Sequence, residues 1–463
     1  MSILLVSLDT TIVNIALPAI QSSLGASLSG LQWTIDGYTL VLASLLMLSG
    51  SLGDRLGRRR VFQTGLVLFT LGSLLCGLAP SLGWLIAFRV LQAVGGSMLN
   101  PIAMAIVVNT FGDPKQRARA IGVWGGVVGV SMALGPILGG ALVDWAGWRS
   151  IFWVNVPIGV AALVLTRLFV PESRAALARA VDPIGQILVL VLLATLTYAI
   201  IDAPQRGWLA PGTLALLAAA SLAAVGLGVI EPRRRQPLID FRFFGSVPFT
   251  AATLTAVAAF ATLGSFLFVN TLYLQNVLGN SPVVAGLLTL PMAVMAAIFA
   301  PVSGRLVATS GTRLPLLLAG IFTAAGAALL LRLSPHTSHT QLLTAYTLIG
   351  AGFGLVNAPI TNTATSGMPR ARAGVASATA STSRQVGISL GVAIGGSLVA
   401  GATGARFTTD SHAVWAMIVG CGVVIALLGV VSTGRWATRT AARTGYLLEA
   451  EVTDTEQHVT AAA

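Results

Sequence analysis

Long apolar runs dominate this sequence and limit what the chain can fold into. Fourteen such runs follow one another, separated by short polar breaks. Because a helix needs about 20 apolar residues to cross the hydrocarbon core of a bilayer, each run predicts one transmembrane helix. We expect spans at 2–21, 34–53, 61–79, 83–108, 119–142, 150–170, 184–201, 211–230, 248–274, 283–307, 314–333, 341–363, 375–400 and 413–434. The sequence therefore predicts an all-α membrane protein with 14 transmembrane helices.

Composition excludes several other classes of protein. Only 9% of the residues are charged, against roughly a quarter in soluble domains, so a soluble enzyme, a disordered chain and a coiled coil are excluded. The net charge of +12 comes from residues in the breaks between the runs and not from one basic face, so we expect no nucleic-acid partner. Cys76 and Cys421 lie within apolar runs, and His336 and His339 share a polar loop, so we expect neither a disulfide, a metal nor a cofactor.

The basic residues also predict the orientation. With fourteen spans, 21 of the 27 Lys and Arg residues fall on the side that carries both chain termini, and four fall on the opposite side. Cytoplasmic loops carry an excess of Lys and Arg, which predicts a multi-pass protein of the inner (cytoplasmic) membrane with both termini in the cytoplasm.

The chain divides into four parts. We expect a six-helix bundle at 1–170, two inserted helices with cytoplasmic linkers at 171–247, and a second six-helix bundle at 248–434. The polar tail at 435–463 is expected to be disordered and cytoplasmic. The inserted helices interrupt a six-plus-six pattern and are expected to be peripheral, and we expect a monomer. Repetition of this kind is how many transporters are built.

Several motifs indicate which protein family this sequence resembles. Between the second and third runs stands Gly50-x-Leu52-x-Asp54-Arg55-x-Gly57-Arg58-Arg59, and the fifth run contains Gly135-Pro136-Ile137-Leu138-Gly139-Gly140. The first resembles the signature loop of the major facilitator superfamily, and the second is similar to its exporter motif. Leu8 to Pro18, Trp148 to Gly159 and Pro237 to Asp240 resemble the fourteen-helix drug:proton antiporter family. In the related Arg89-x-x-Gln92 motif, Ala93 stands where that family has Gly.

The resemblance implies a major facilitator fold of two six-helix bundles plus two inserted helices. It implies a secondary active transporter and not an enzyme: a proton-coupled exporter of amphipathic, often cationic drugs or dyes, working in the bilayer by alternating access. An exporter of one endogenous metabolite or self-made antibiotic is the alternative. A membrane-embedded enzyme would need clustered carboxylates or histidines at a membrane face, and these are missing from the sequence.

Four of the charged residues within the predicted spans are candidates for a functional role, because a charge near the bilayer centre costs about 2.5–3.5 kcal/mol. We predict that Asp9, near the midplane, carries the coupling proton or pairs with the charge of the substrate. Asp36 is the second candidate, expected to be hydrated or to cap its helix, and Arg89 is expected to pair with it. Arg384 lies near the middle of its helix.

The remaining candidates are assigned to gating or to the cavity. Asp54 is expected to latch the cytoplasmic side. The gating set is Asp54, Arg55, Arg58, Gly135, Pro136, Gly139 and Arg384. The substrate cavity set is Asn14, Gln92, Asn270, Asn357, Thr361 and Gln385.

Overall fold

The computed structural model describes residues 1–110, 113–174, 181–234, 237–369 and 372–462, and these residues form helices joined by short loops. Arg179, Arg235 and Arg370, which contribute to the predicted orientation, lie outside the described residues. The helices are α1 (Ser2–Leu24), α2 (Leu28–Leu56), α3 (Arg58–Gly77), α4 (Leu82–Thr110), α5 (Pro114–Ala146), α6 (Ser150–Trp153), α7 (Asn155–Phe169), α8 (Pro183–Arg206), α9 (Pro211–Ile230), α10 (Val247–Leu272), α11 (Pro282–Ser310), α12 (Arg313–Leu330), α13 (His339–Thr365), α14 (Ala373–Leu398), α15 (Gly404–Val431) and α16 (Arg435–Ala462).

Local sequence explains where several helices begin and end. Ser27 and Asp182 cap α2 and α8, because their side chains accept hydrogen bonds from backbone amides of the first turn. Pro183 and Pro211 occupy the first turn, where the missing N–H costs nothing. Gly25 ends α1 with φ +62°, a conformation that favours glycine.

The predicted spans agree with the helices. Twelve helical segments of the described chain are long and apolar enough to cross a membrane, with α6 and α7 forming one of them and α10 continuing to Val277 as a π-helical turn. Helices α5 and α14 correspond to the other two predicted spans. The structure is therefore consistent with the fourteen-helix fold.

The helices before and after the inserted pair pack in the same pattern. In the first set, α1–α7, helix α1 packs on α5, α2 on α4, and α3 on α4 and α7. In the second set, α10–α15, helix α10 packs on α14, α11 on α13, and α12 on α13 and α15. The same order of partners shows that the two sets are repeats of one arrangement.

Contacts between the two sets gather toward one end of the molecule. We call the end that carries the loops α2–α3, α9–α10 and α13–α14 the arginine-rich end, and the opposite end the far end. Near the far end, Gln32 of α2 donates hydrogen bonds to the carbonyls of Val392 and Ala393 on α14 at 3.2 and 2.9 Å. Gln275 donates to the carbonyl of Ile15 at 2.8 Å. The two sets are thus joined on the far-end side.

Helix α8 of the inserted pair lies along the seam between the two sets. It packs against both α2 and α14, whereas α9 packs mainly on α8. Gln186 donates to the carbonyl of Ser44 at 2.5 Å, and the rings of Trp33 and Tyr198 lie 5.5 Å apart. The expectation of two peripheral helices therefore suits α9, but α8 covers the joint between the sets.

The expected disorder of the tail is corrected by the structure, which continues as helix α16. Ala437 and Leu448 are buried completely, and Thr440 accepts a hydrogen bond from the amide of Val247 at the start of α10. Tyr446 is exposed on the opposite side, and Trp436 is exposed on the flank of the helix. Buried and exposed residues on separate faces indicate an amphipathic helix docked at the arginine-rich end.

Candidate functional site

Asp9 of α1 is the centre of a buried polar network. Its side chain is fully buried, and Oδ2 accepts a hydrogen bond from Arg89 of α4 at 2.6 Å. Oδ1 accepts from Gln92 at 2.9 Å and from Asn155 of α7 at 3.1 Å. An ion pair with additional hydrogen bonds is the arrangement that makes a buried charge tolerable.

Arg89 is held by a second group of contacts. Its Nε donates to the carbonyl of Thr34 at 3.2 Å, and its Nη1 also donates to Gln92 at 2.8 Å. The guanidinium lies 4.1 Å from the ring centre of Tyr38, a cation–π contact. Arg89 is only 1% exposed, so the protein supplies the whole of its environment.

Asn155 and Ser73 belong to the network, although sequence reasoning did not select them as site residues. Asn155 donates to Asp9 and to Ser73 Oγ at 3.1 Å, and Ser73 donates to the carbonyl of Phe152. The signal was available, since Asn155 stands inside a motif that resembles the antiporter family. The network thus joins α1, α2, α3, α4, α6 and α7 of the first set.

The pairing of Arg89 is a correction to the sequence analysis. Arg89 was expected to pair with Asp36, and it pairs with Asp9 instead. Successive helical residues are about 100° apart, so Asp36 lies about 200° around α2 from both Thr34 and Tyr38, which meet Arg89. The carboxyl group of Asp36 therefore points to the opposite side of its helix.

Asp36 faces the second set of helices. It is completely buried, which corrects the expectation of a hydrated or capping residue: α2 begins at Leu28, capped by Ser27, so Asp36 lies about 12 Å into the helix. Thr39 donates to Oδ1 at 3.3 Å, Oδ2 has no hydrogen-bond partner, and Ser389 of α14 is adjacent. Gln32, one turn earlier, bonds α14 from the same face. Asp36 thus lies in the joint between the sets, and no Lys or Arg of the described residues forms an ion pair with it.

The glycine-proline motif of α5 brings three helices together. Gly135 packs against Thr11 and Gly139 against Ile15 of α1. The carbonyl of Pro136 lies against Gly286 of α11, and a Cβ atom added at Gly140 would lie 2.5 Å from the carbonyl oxygen of Pro282. Missing side chains allow the backbones to approach this closely. The motif therefore belongs to the joint between the two sets.

The loop between α2 and α3 forms its contacts with the start of α3 and with the linker that follows α7. Arg58 donates to Asp54 Oδ1 from Nη2 at 2.8 Å and from Nε at 3.1 Å. The amide of Arg59 donates to Glu172 at 3.0 Å. Arg55 is exposed at this end. Asp54 is therefore bound to its own loop in this conformation.

The residues predicted to line a substrate cavity separate into two groups. Gln92 and Asn270 are buried inside their own sets, Gln92 in the Asp9 network and Asn270 accepting a 2.5 Å hydrogen bond from Tyr346. Asn14 is also buried and donates to the carbonyl of Thr10. Thr361 is exposed, and Asn357 and Gln385 are half-buried. Because they are buried, Gln92, Asn270 and Asn14 do not line an open cavity in this conformation.

Comparison with known proteins agrees with this architecture. The model of the Major Facilitator Superfamily matches residues 1–392. Multidrug resistance protein Stp of Mycobacterium tuberculosis is 39% identical over 400 residues, covering 86% of this chain and 74% of that protein. The tetracenomycin C resistance and export protein of Streptomyces glaucescens is 40% identical over 407 residues, covering 88% and 75%.

A solved structure confirms the fold independently. The crystal structure of a D-xylose-proton symporter superposes with a TM-score of 0.65 over 92% of this chain and 94% of that chain, at 15% identity. Family model, relatives and fold agree with the repeated helix sets and their motifs, and the chain is a multi-pass membrane transporter that belongs to the major facilitator superfamily.

Proposed function

We propose that this transporter exports amphipathic drug-like compounds in exchange for protons, by alternating access between the two helix sets. The observation that carries the coupling is the position of Asp36, a buried carboxyl group in the joint between α2 and α14. The relatives whose names describe multidrug resistance and antibiotic export support the class of substrate.

Burial of Asp36 links proton binding to the joint. A charged carboxylate enclosed without a cation costs several kcal/mol, and a bound proton removes that charge. The cost arises only when α14 covers the carboxyl group, so closing the far-end joint and binding a proton favour each other. Inward proton movement then supplies about 2.3 kcal/mol per charge for each 100 mV.

Asp9 has a different role in this proposal. Arg89, Gln92 and Asn155 satisfy its charge from within the first set, so Asp9 and Arg89 hold that set together as the sets move. Asp9 remains the alternative coupling acid, and the experiment below separates the two.

The transporter lies in the inner membrane as a monomer, and its arginine-rich end and both termini face the cytoplasm. The units are two six-helix bundles at 1–170 and 248–434, with the inserted pair at 171–247. A reporter fused to the C-terminus is expected to be active only on the cytoplasmic side.

Energised efflux tests the function. Cells that express the protein are loaded with ethidium and with a neutral dye of similar size, and efflux is followed with and without an uncoupler. We expect uncoupler-sensitive efflux of at least one dye. Efflux that continues at the full rate after the uncoupler is added would contradict proton coupling.

Carboxyl variants identify the coupling acid. Asp36→Asn is expected to abolish the dependence of transport on an imposed pH gradient in proteoliposomes. Asp202→Asn is the matched control, because Asp202 forms a surface ion pair with Arg206 on α8. If Asp36→Asn keeps the full pH dependence and Asp9→Asn loses it, Asp9 is the coupling acid.

A dedicated exporter of one self-made antibiotic is the second candidate. The Streptomyces relative, whose name describes both resistance to and export of one compound, favours it. A screen of structurally unrelated compounds distinguishes the two, since a dedicated exporter confers resistance to one chemical scaffold only.

A further inference from the structure

Arg384 is a cation of the second set that the proposed coupling does not use. It lies eleven residues into α14, about 16 Å along that helix. Its Nη2 donates a 2.7 Å hydrogen bond to Thr361 Oγ1 of α13, and its guanidinium lies 5.9 Å from the ring centre of Phe260 on α10. Its Nε is buried and has no hydrogen-bond partner.

The protein supplies no counter-charge for this guanidinium from its own set. Residues 241–409 contain no Asp or Glu, and Asp410 of α15 pairs with Arg406 at the far end. In the first set, Asp9 is already paired with Arg89, and Asp36 lies in the far-end joint. A guanidinium offers five N–H donors in a planar fork that matches a carboxylate. Arg384 therefore retains both a positive charge and donor capacity.

The positive charge and the free N–H donors of Arg384 lie where a solute can reach them. Its partner Thr361 is exposed and lies about one turn before the end of α13 at the arginine-rich end. The hydrogen bonds between the sets lie toward the other end. Phe260 offers an apolar ring beside the guanidinium, as a compound with an aromatic or aliphatic body requires.

We propose that Arg384 and Thr361 bind an acidic group of the exported compound, so that the preferred substrates are amphipathic organic acids. The carboxylate or phenolate pairs with the guanidinium, Thr361 orients the guanidinium, and Phe260 contacts the apolar body. This inference rests on the proposed export function and narrows its substrate class. It differs from the cationic preference implied by the sequence resemblance, because the uncompensated charge of the second set is positive.

Binding of a matched pair of probes tests the charge preference. The probes are 9-anthracenecarboxylic acid and its methyl ester, which share a ring system and differ in charge. Fluorescence titration of the purified full-length protein is expected to show tighter binding of the acid. Arg384→Gln is expected to weaken binding of the acid about tenfold or more and to change binding of the ester less than twofold. Arg384→Lys is expected to retain part of the preference.

Arg206→Gln is the matched control, since Arg206 pairs with Asp202 on the surface of α8. It is expected to bind both probes as the unmodified protein does. Size-exclusion profiles of all variants check folding, and the Lys variant keeps the test valid if the Gln variant is unstable. Equal binding of acid and ester by the unmodified protein would overturn the inference, and so would an Arg384→Gln variant that loses both probes equally.

Cellular efflux separates this inference from the proposed function. Export of ethidium without export of the acid would refute the acidic preference and leave the export function standing. Failure to export ethidium, the acid and the ester would remove both. The result that we expect is a loss of acid export in Arg384→Gln that is at least tenfold larger than any loss of ethidium export.

Discussion

Removal of Arg89 tests whether the buried ion pair holds the first helix set together. Asp9 and Arg89 are 0% and 1% exposed and lie 2.6 Å apart. Arg89→Met leaves the Asp9 carboxylate buried without a cation and removes the hydrogen bonds to Thr34 and Gln92. Breaking a buried pair in this way costs about 3–5 kcal/mol. We expect the free energy of unfolding to fall by this amount, measured as a lower thermal midpoint of the purified protein.

A double-mutant cycle then isolates the interaction. Asp9→Asn with Arg89→Met removes both charges, so the double variant is expected to be more stable than the sum of the single changes predicts, by about 2 kcal/mol. Asp202→Asn is the control: Arg206 and Asp202 are 57% and 18% exposed, and such pairs contribute at most about 1 kcal/mol. Additive single changes, or an Arg89→Met midpoint equal to that of the control, would refute the reasoning.

Three further predictions concern the joint, the loop and the tail. Gly140→Val is expected to keep the far end open and to slow transport at least tenfold, because the added side chain meets the carbonyl of Pro282. Labelling of Gln32→Cys from the far-end side reports the opening. Gly83→Val is the control and should have no effect, because the added atom meets open space. Asp54→Asn is expected to slow transport severalfold while substrate binding changes less than twofold, and normal transport would refute the proposed latch. Ala437→Asp puts a charge at a fully buried position and should lower stability by about 2–4 kcal/mol, whereas Thr438→Asp on the exposed face of α16 should leave the thermal midpoint unchanged.

The sequence predicted the helices well because the thickness of the bilayer and the helical rise fix the length of a span. It could not show how each helix is rotated against its neighbours. Thr34 and Asp36 are two residues apart and face opposite sides of α2, which decided the partner of Arg89. Polar residues such as Gln92 and Asn270 have the same local sequence signature whether they face a cavity or a neighbouring helix.

The tail contains apolar residues at helical spacing, which its overall composition does not reveal. Its acidic residues and lack of long apolar runs favoured disorder, yet Ala437, Ala441 and Leu448 are buried and recur at spacings that lie on one face of a helix. Docking of that face against the start of α10 depends on tertiary contacts. The surface that the tail packs against is formed by residues distant in sequence, so the tail sequence alone does not predict the docking.

The two buried acids differ in which parts of the molecule surround them, and this difference bears on coupling. The contacts of Asp9 come from helices of the first set, so a movement of one set against the other leaves them in place. The burial of Asp36 depends on α14 of the second set, so its environment changes whenever the joint opens. A group can couple proton binding to a conformational change only if its free energy of protonation differs between the two conformations. Depth in the membrane favoured Asp9, whereas the position between moving bodies favours Asp36 as the acid that responds to transport.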